Sequence, residues 1–142
     1  MKNSGYHFVL DCSVTMAWCF EDEGNEKTME VLQALKSSKA IVPSLWPLEV
    51  SNVLLIAGRK KRVTELQTAR FIDALASLPI VVDQTTAAKA MHSIFLLAKK
   101  TDLTVYDAAY LELAIREEIP LATLDAQLIK ACKKMGVPAF SR

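Results

Sequence analysis

Short, unbroken apolar runs alternate with longer amphipathic stretches along this chain. His7-Phe8-Val9-Leu10 is a strand-like run that stops at Asp11, and Ser13 stands where an N-cap would open a short helix reaching to residue 20. Residues 25–36 carry helical spacing, with Met29, Leu32 and Leu35 on one face. Ala40-Ile41-Val42 predicts a second strand, stopped by Pro43. Residues 45–60 read as a helix, with Pro47 tolerated in its first turn. Thr64-x-x-Gln67 is a capping-box pattern that opens a helix to about residue 77. Pro79-Ile80-Val81-Val82 predicts a third strand that ends near Asp83, and residues 86–100 a helix with Ala88, Met91, Phe95 and Ala98 on one stripe. Residues 104–117 are apolar nearly all round, which predicts a helix buried on most sides. Pro120-Leu121-Ala122-Thr123-Leu124 predicts a fourth strand that ends at Asp125, residues 126–135 a last helix, and Gly136 suits its C′ position. Val137-Pro138-Ala139-Phe140 is a weak final strand, placed at an edge where proline is allowed.

Strands that alternate with helices, each short and without polar alternation, predict a parallel sheet covered on both faces. The expected architecture is α/β: a three-layer α/β/α domain with a central, mainly parallel sheet of four to five short strands. No repeat or Gly/Ser/Pro-rich linker interrupts it, so residues 1–142 read as one domain. In such sheets chemistry gathers outside the carboxyl ends of the strands.

Composition narrows the function classes. At 51% hydrophobic residues the chain can bury a sizeable core without staples. Its three cysteines, Cys12, Cys19 and Cys132, form no CxxC pair, which argues against a zinc site or disulfide framework and for a reducing compartment. The first residues lack the apolar stretch of a signal peptide, and no run approaches a membrane span, so a soluble cytoplasmic protein is expected. Lys and Arg total 17 against 16 Asp and Glu, a balance that speaks against gripping nucleic acid by bulk positive charge.

The placement of the acids matters more than their number. Glu21, Asp22, Glu23, Glu26 and Glu30 form a surface run, and Glu117 and Glu118 close a helix; all are expected in water. Asp11 and Asp125 instead follow strands at their carboxyl ends. Glu49 lies in the first turns of a helix among Trp46, Leu48, Val50, Val53 and Leu54, and Asp107 in the first turn of the nearly all-apolar helix. Helices that follow parallel strands open on the same edge, which predicts Asp11, Glu49 and Asp125 on one rim; Asp107, whose helix follows no clear strand, is expected to join them there. Capping is the ordinary alternative for Asp11, Asp107 and Asp125; Glu49 lies past the usual capping positions. Buried unpaired carboxylates cost several kcal/mol and call for a cation or a proton. Without His or Cys at ligand spacing the donors would be oxygen only, which selects Mg²⁺ or Mn²⁺ and suits phosphodiester chemistry.

The segments FVLDCSVTMAW, VPSLWPLEVSNVLL, LTVYDAAYLELA and PLATLDAQL resemble those of PIN-domain ribonucleases, and more narrowly VapC-type toxins of VapBC toxin–antitoxin modules, over residues 8–140. The resemblance implies a metal-dependent endoribonuclease in which Asp11, Glu49, Asp107 and Asp125 are the catalytic, metal-binding quartet for Mg²⁺ or Mn²⁺. It implies supporting roles, in holding the acids or orienting substrate, for Ser13, Asn52 and Thr123. It further implies an RNA substrate, a homodimer, and a VapB-like antitoxin that lays a helix or tail in a groove and sends an Arg to the acids. The substrate-binding residues stay open.

The remaining features are weaker. Arg59-Lys60-Lys61-Arg62 is the densest basic run, either a solvated helix end or a phosphate contact about 15 Å from Glu49; Lys99-Lys100 and Lys133-Lys134 read the same way. Trp18 and Trp46 suit packing. His7 and His92 lack a partner for hydrolase chemistry, and no nucleotide-binding glycine motif occurs. Three other readings compete: a housekeeping RNA-processing nuclease, a non-catalytic PIN-like scaffold, and a receiver-like domain phosphorylated on Asp. The last fits poorly, because it needs paired acids after the first strand and Asp11 is followed by Cys12.

Overall fold

A computed structural model describes residues 5–140. Within it, strands β1 (Phe8–Leu10), β2 (Ala40–Val42), β3 (Ile80–Val82) and β4 (Leu121–Ala122) form one parallel sheet in the order β3-β2-β1-β4. Helices cover both faces of the sheet. They are α1 (Cys12–Ala17), α2 (Glu26–Ala34), α3 (Trp46–Arg59), α4 (Glu65–Ala76), α5 (Thr86–Lys89), α6 (Phe95–Thr101), α7 (Val105–Glu117) and α8 (Ala126–Met135). The α/β/α expectation holds. A receiver-like arrangement does not, since that fold runs in the order 2-1-3-4-5 and here β3 lies beyond β2.

The unalternating strands are apolar because both faces are buried. Every side chain of β1 and β2 is at most 3% exposed, whereas Val81 on edge strand β3 reaches 36%. Helix α7 is buried from Ala108 through Ala114, as its all-round apolar surface requires. Trp46 and Trp18 pack inward and donate their ring N–H groups to Thr15 Oγ1 and the Thr28 carbonyl, at 3.1 and 2.8 Å. The capping box at Thr64 and Gln67 forms in both directions, and Gly136 takes the left-handed conformation that ends α8.

Several expectations need correction. Asp11, not Ser13, occupies the N-cap position of α1; Ser13 lies inside the first turn with its hydroxyl turned to another task. The stripe expected along residues 86–100 holds at Ala98 but not at Met91 and Phe95, which are exposed. A π-helical turn over Ala90–Ile94 inserts extra rotation, so Ile94, Leu97 and Ala98 face the core while Met91 is 87% exposed. On α2, Thr28, Val31 and Ala34 are buried and Met29 is exposed, because the Thr28 hydroxyl finds its partners within the Asn25 cap. Glu117 is buried at 8% exposure rather than solvated. The final strand reduces to one parallel bridge between Ala139 and Leu121. Residues 1–4 and 141–142 of the expected domain lie outside the described residues.

Candidate acidic site at the carboxyl edge of the sheet

The sheet order turns back between β1 and β4: from β1 the chain moves to β2 on one side and finally to β4 on the other. This is a topological switch point, where crossovers diverge and leave a crevice at the strand ends. Asp11 leaves β1 there, its backbone N–H donating to the Ala122 carbonyl at 3.0 Å.

Two hydroxyls lock the Asp11 carboxylate to the β4–α8 turn. Ser13 Oγ donates to Asp11 Oδ2 at 2.7 Å and accepts the Leu124 N–H at 3.0 Å. Thr123 Oγ1 donates to the same oxygen at 2.7 Å and accepts the Asp125 N–H at 3.0 Å. Each hydroxyl passes a backbone N–H on to one buried carboxylate oxygen, and the two strand ends cannot separate without losing the Thr123–Asp11 and Leu124–Ser13 hydrogen bonds. Asp125 caps α8, accepting from the Leu128 N–H at 2.8 Å. Asp107 enters in the first turn of α7, where Thr104 Oγ1 caps its N–H at 3.1 Å. Glu49 enters in the first turn of α3, and its Oε1 accepts the Tyr110 hydroxyl at 2.5 Å.

The acids feel one another. Burial raises the Asp11 pKa above the usual carboxylate range, more than the Ser13 and Thr123 hydroxyls lower it, and the charge of Asp125 adds to the rise. Burial raises Glu49 too; Tyr110 opposes this while Asp11 and Asp107 reinforce it. Asp107 rises through burial and then through Asp11 and Asp125. No cation appears among these influences. A second group of buried acids provides the contrast. Burial alone would raise Asp83, but Arg116, 2.9 Å away and also paired with Glu112 at 3.0 Å, outweighs it and holds Asp83 low. Among the described residues, a guanidinium thus lies between Asp83 and Glu112, and none lies among the strand-end acids.

That difference fits an all-oxygen site for a hard divalent ion. Among the described residues no three His, Cys, Asp or Glu side chains close on a common point tightly enough to hold an ion unaided. Such an ion would be held as Mg²⁺ commonly is, through one or two carboxylates with water completing its shell. Cysteine chemistry is disfavoured in the same place: burial, with Glu49 and Asp11 nearby, pushes the Cys12 thiol up to about 12, far from a ready thiolate.

Of the residues singled out in the sequence, Asp11, Glu49, Asp107 and Asp125 are electrostatically linked, and Ser13 and Thr123 touch Asp11 directly. Asn52 does not join them; it is exposed and makes no hydrogen bond to any of the four acids. Tyr110 was not singled out. It is fully buried on α7, one turn beyond Asp107 on the same face, and that spacing was the available signal.

Comparison with known proteins bears on the family and the fold. The PIN domain family model matches residues 8–134. Ribonuclease VapC3 of Pyrobaculum aerophilum is 27% identical over 130 residues, covering 92% of this chain and 98% of that protein. A crystal structure from the same organism superimposes with a TM-score of 0.67 at 20% identity, covering 92% of this chain and 83% of the other. The Rickettsia felis VapBC2 structure, bound to a DNA fragment from its promoter, gives a TM-score of 0.65 at 14% identity, with 94% and 96% covered. The strand-end acids, the sheet order and the family match over nearly the whole chain lead to one assignment: this chain belongs to the PIN-domain family.

Proposed function

We propose that this protein is a metal-dependent endoribonuclease and the toxin of a type II toxin–antitoxin pair, a single domain in which Asp11, Glu49, Asp107 and Asp125 hold Mg²⁺ or Mn²⁺. The carrying observation is the set of mutually repelling, partly buried acids at the switch point, with no cation among them in the described residues. A relative named as a VapC ribonuclease and solved toxin–antitoxin complexes of the same fold support the reading. When bound, the ion supplies an acidified water and stabilises charge on the phosphodiester. The protein's own residues prepare for this. Ser13 and Thr123 fix the orientation of Asp11, Tyr110 fixes Glu49 through Oε1, and Glu49 Oε2 makes no hydrogen bond of its own.

The reading includes a VapB-like antitoxin and a homodimer in the cytoplasm. Support for an apolar antitoxin segment comes from the cleft of about 600 Å³ between α3 and α4, with Leu55 and Ile72 on its walls. A guanidinium brought to the acids by such a partner would compete with the metal. Support for a second copy comes from Met91, Phe95 and Leu96, exposed along one helical stretch. Induced expression is expected to arrest growth, with rescue by the adjacent short reading frame. The purified protein is expected to cleave RNA in Mg²⁺ and not in EDTA. Cleavage without growth arrest would favour a housekeeping nuclease, and no cleavage with either ion would sink the enzyme reading.

Tyr110→Phe tests the support of Glu49. Loss of a hydrogen bond to a metal-binding carboxylate typically weakens metal affinity about tenfold or more. Titration of the variant with Mn²⁺, followed by thermal shift, is expected to show that weakening with the circular dichroism spectrum unchanged. An unchanged Mn²⁺ midpoint would show that Tyr110 serves packing alone.

A further inference from the structure

The basic side chains of this protein are not equivalent. Arg62, in the densest basic run, is neutralised: it pairs with Asp22 and Glu23 at 3.1 and 3.0 Å and lies over the Phe20 ring at 4.0 Å. The lysines of the two weaker runs behave differently. Lys100 at the end of α6, and Lys130 and Lys134 on α8, line one cleft of about 470 Å³. Among the described residues neither these three nor the adjacent Lys99 and Lys133 enter an ion pair. Lys134 Nζ donates to the Lys100 carbonyl at 2.8 Å, which ties α8 to α6 across the cleft without cancelling charge. The exposed Asp102 is the one acid on its walls.

The position of the cleft gives it a use. Its walls include Ala126 and Gln127, which directly follow Asp125, and Thr101 and Asp102, which lead into the Thr104 cap before Asp107. The cleft is thus lined by the residues that directly follow Asp125 and by the turn that leads into the helix of Asp107. Lys130 and Lys134 recur at one-turn spacing along α8, so they lie about 6 and 12 Å along the axis from Ala126. A row of uncompensated ammonium groups running away from a phosphodiester-cleaving centre suits a flexible polyanion whose next phosphates continue past the cut.

We infer that the cleft between α6 and α8, through Lys100, Lys130 and Lys134, binds the phosphate backbone of single-stranded RNA on one side of the scissile bond. This rests on the nuclease reading and adds to it the path of the substrate. Phosphate contacts position a strand without reading its sequence. The lysines therefore set affinity and its salt dependence, and the four acids set the chemistry.

The test uses Lys100→Gln/Lys130→Gln/Lys134→Gln in the full chain. Binding is measured in an Asp11→Asn background by fluorescence anisotropy with a short, labelled, mixed-sequence single-stranded RNA. The triple variant is expected to bind at least about tenfold more weakly, with the slope of log K against log salt shallower by roughly 2, near 0.7 per lost contact on a single strand. In the cleavage-competent background KM should rise with kcat little changed, and the Mn²⁺-induced thermal shift should stay at its wild-type value. Arg59→Gln/Lys60→Gln/Lys61→Gln should change the slope less. Wild-type affinity and slope in the lysine variant overturn the proposal while leaving the nuclease reading intact. Absence of cleavage by the wild-type protein instead overturns the nuclease reading. If the variant keeps RNA binding but no longer co-purifies with the product of the adjacent reading frame, the cleft serves an acidic protein segment and the RNA assignment fails.

Discussion

Asp11→Asn and Asp107→Asn are each expected to lower RNA cleavage on the order of a thousandfold, comparable to removing an electrostatic group that acts on the reacting centre. The proteins should remain folded. Asp11 is the stronger case. Its carboxylate is 6% exposed and receives two hydroxyls on one oxygen, so an amide oxygen can take over both hydrogen bonds while the amide nitrogen turns toward the other acids. The substitution removes a negative charge that burial and Asp125 disfavour. The metal-free variant should therefore melt at or above the wild-type temperature near pH 7. Loss of cleavage together with a retained or raised melting temperature separates a functional group from a structural one. Near wild-type cleavage by either variant in Mg²⁺ would sink the site assignment. A large fall in melting temperature for Asp11→Asn would show that the charged form holds β1 to β4.

Much of this architecture was legible because local pattern and tertiary environment agree. Phe8-Val9-Leu10 and Leu121-Ala122 are apolar on both faces, Asp11 follows the first directly and Asp125 follows the second after two residues, and parallel sheets place such acids on one edge. The capping residues Asn25, Thr64 and Thr104 act within three residues of their partners, so they too could be read from the sequence. The misreadings share a different cause. The π-helical turn changes the period itself, so a stripe drawn with regular spacing ran through Met91 instead of Ile94. Ser13 reads as a cap because the N–H it accepts belongs to Leu124, 111 residues away, and its hydroxyl proton goes to Asp11. Tyr110 reads as core until α3 brings Glu49 to its hydroxyl. The near-neutral charge hid a division of the surface: acids pooled at the strand ends, Arg62 and Arg116 held in ion pairs, and Lys100, Lys130 and Lys134 gathered along one cleft with no ion pair among the described residues.

Metal should stabilise this protein, and more so as pH rises. Asp11, Glu49 and Asp107 have pKa values in the fold that burial and mutual repulsion hold above their unfolded values. Such groups favour the folded state below the unfolded carboxylate pKa, roughly 4, and that contribution is lost as pH climbs through the raised folded values. Asp83 runs the opposite way: Arg116 lowers its pKa, so its contribution is present above the unfolded value and lost as pH falls through the folded one. In EDTA, then, the strand-end acids oppose stability from the upper carboxylate range to neutrality. A divalent ion binds only their ionised forms and offsets that loss where it is largest. At free Mn²⁺ near one hundred times the dissociation constant, linkage gives about 2.7 kcal/mol, or roughly 5–10 °C in melting temperature for a chain of this length. The measurement is a melting series in EDTA and in millimolar Mn²⁺ at several pH values. The difference should grow between about pH 4 and pH 7 and collapse in Asp11→Asn. Equal melting temperatures near neutrality would mean that the acids are not a metal site. A shift of the same size at every pH, or one retained by Asp11→Asn, would mean that the ion binds elsewhere.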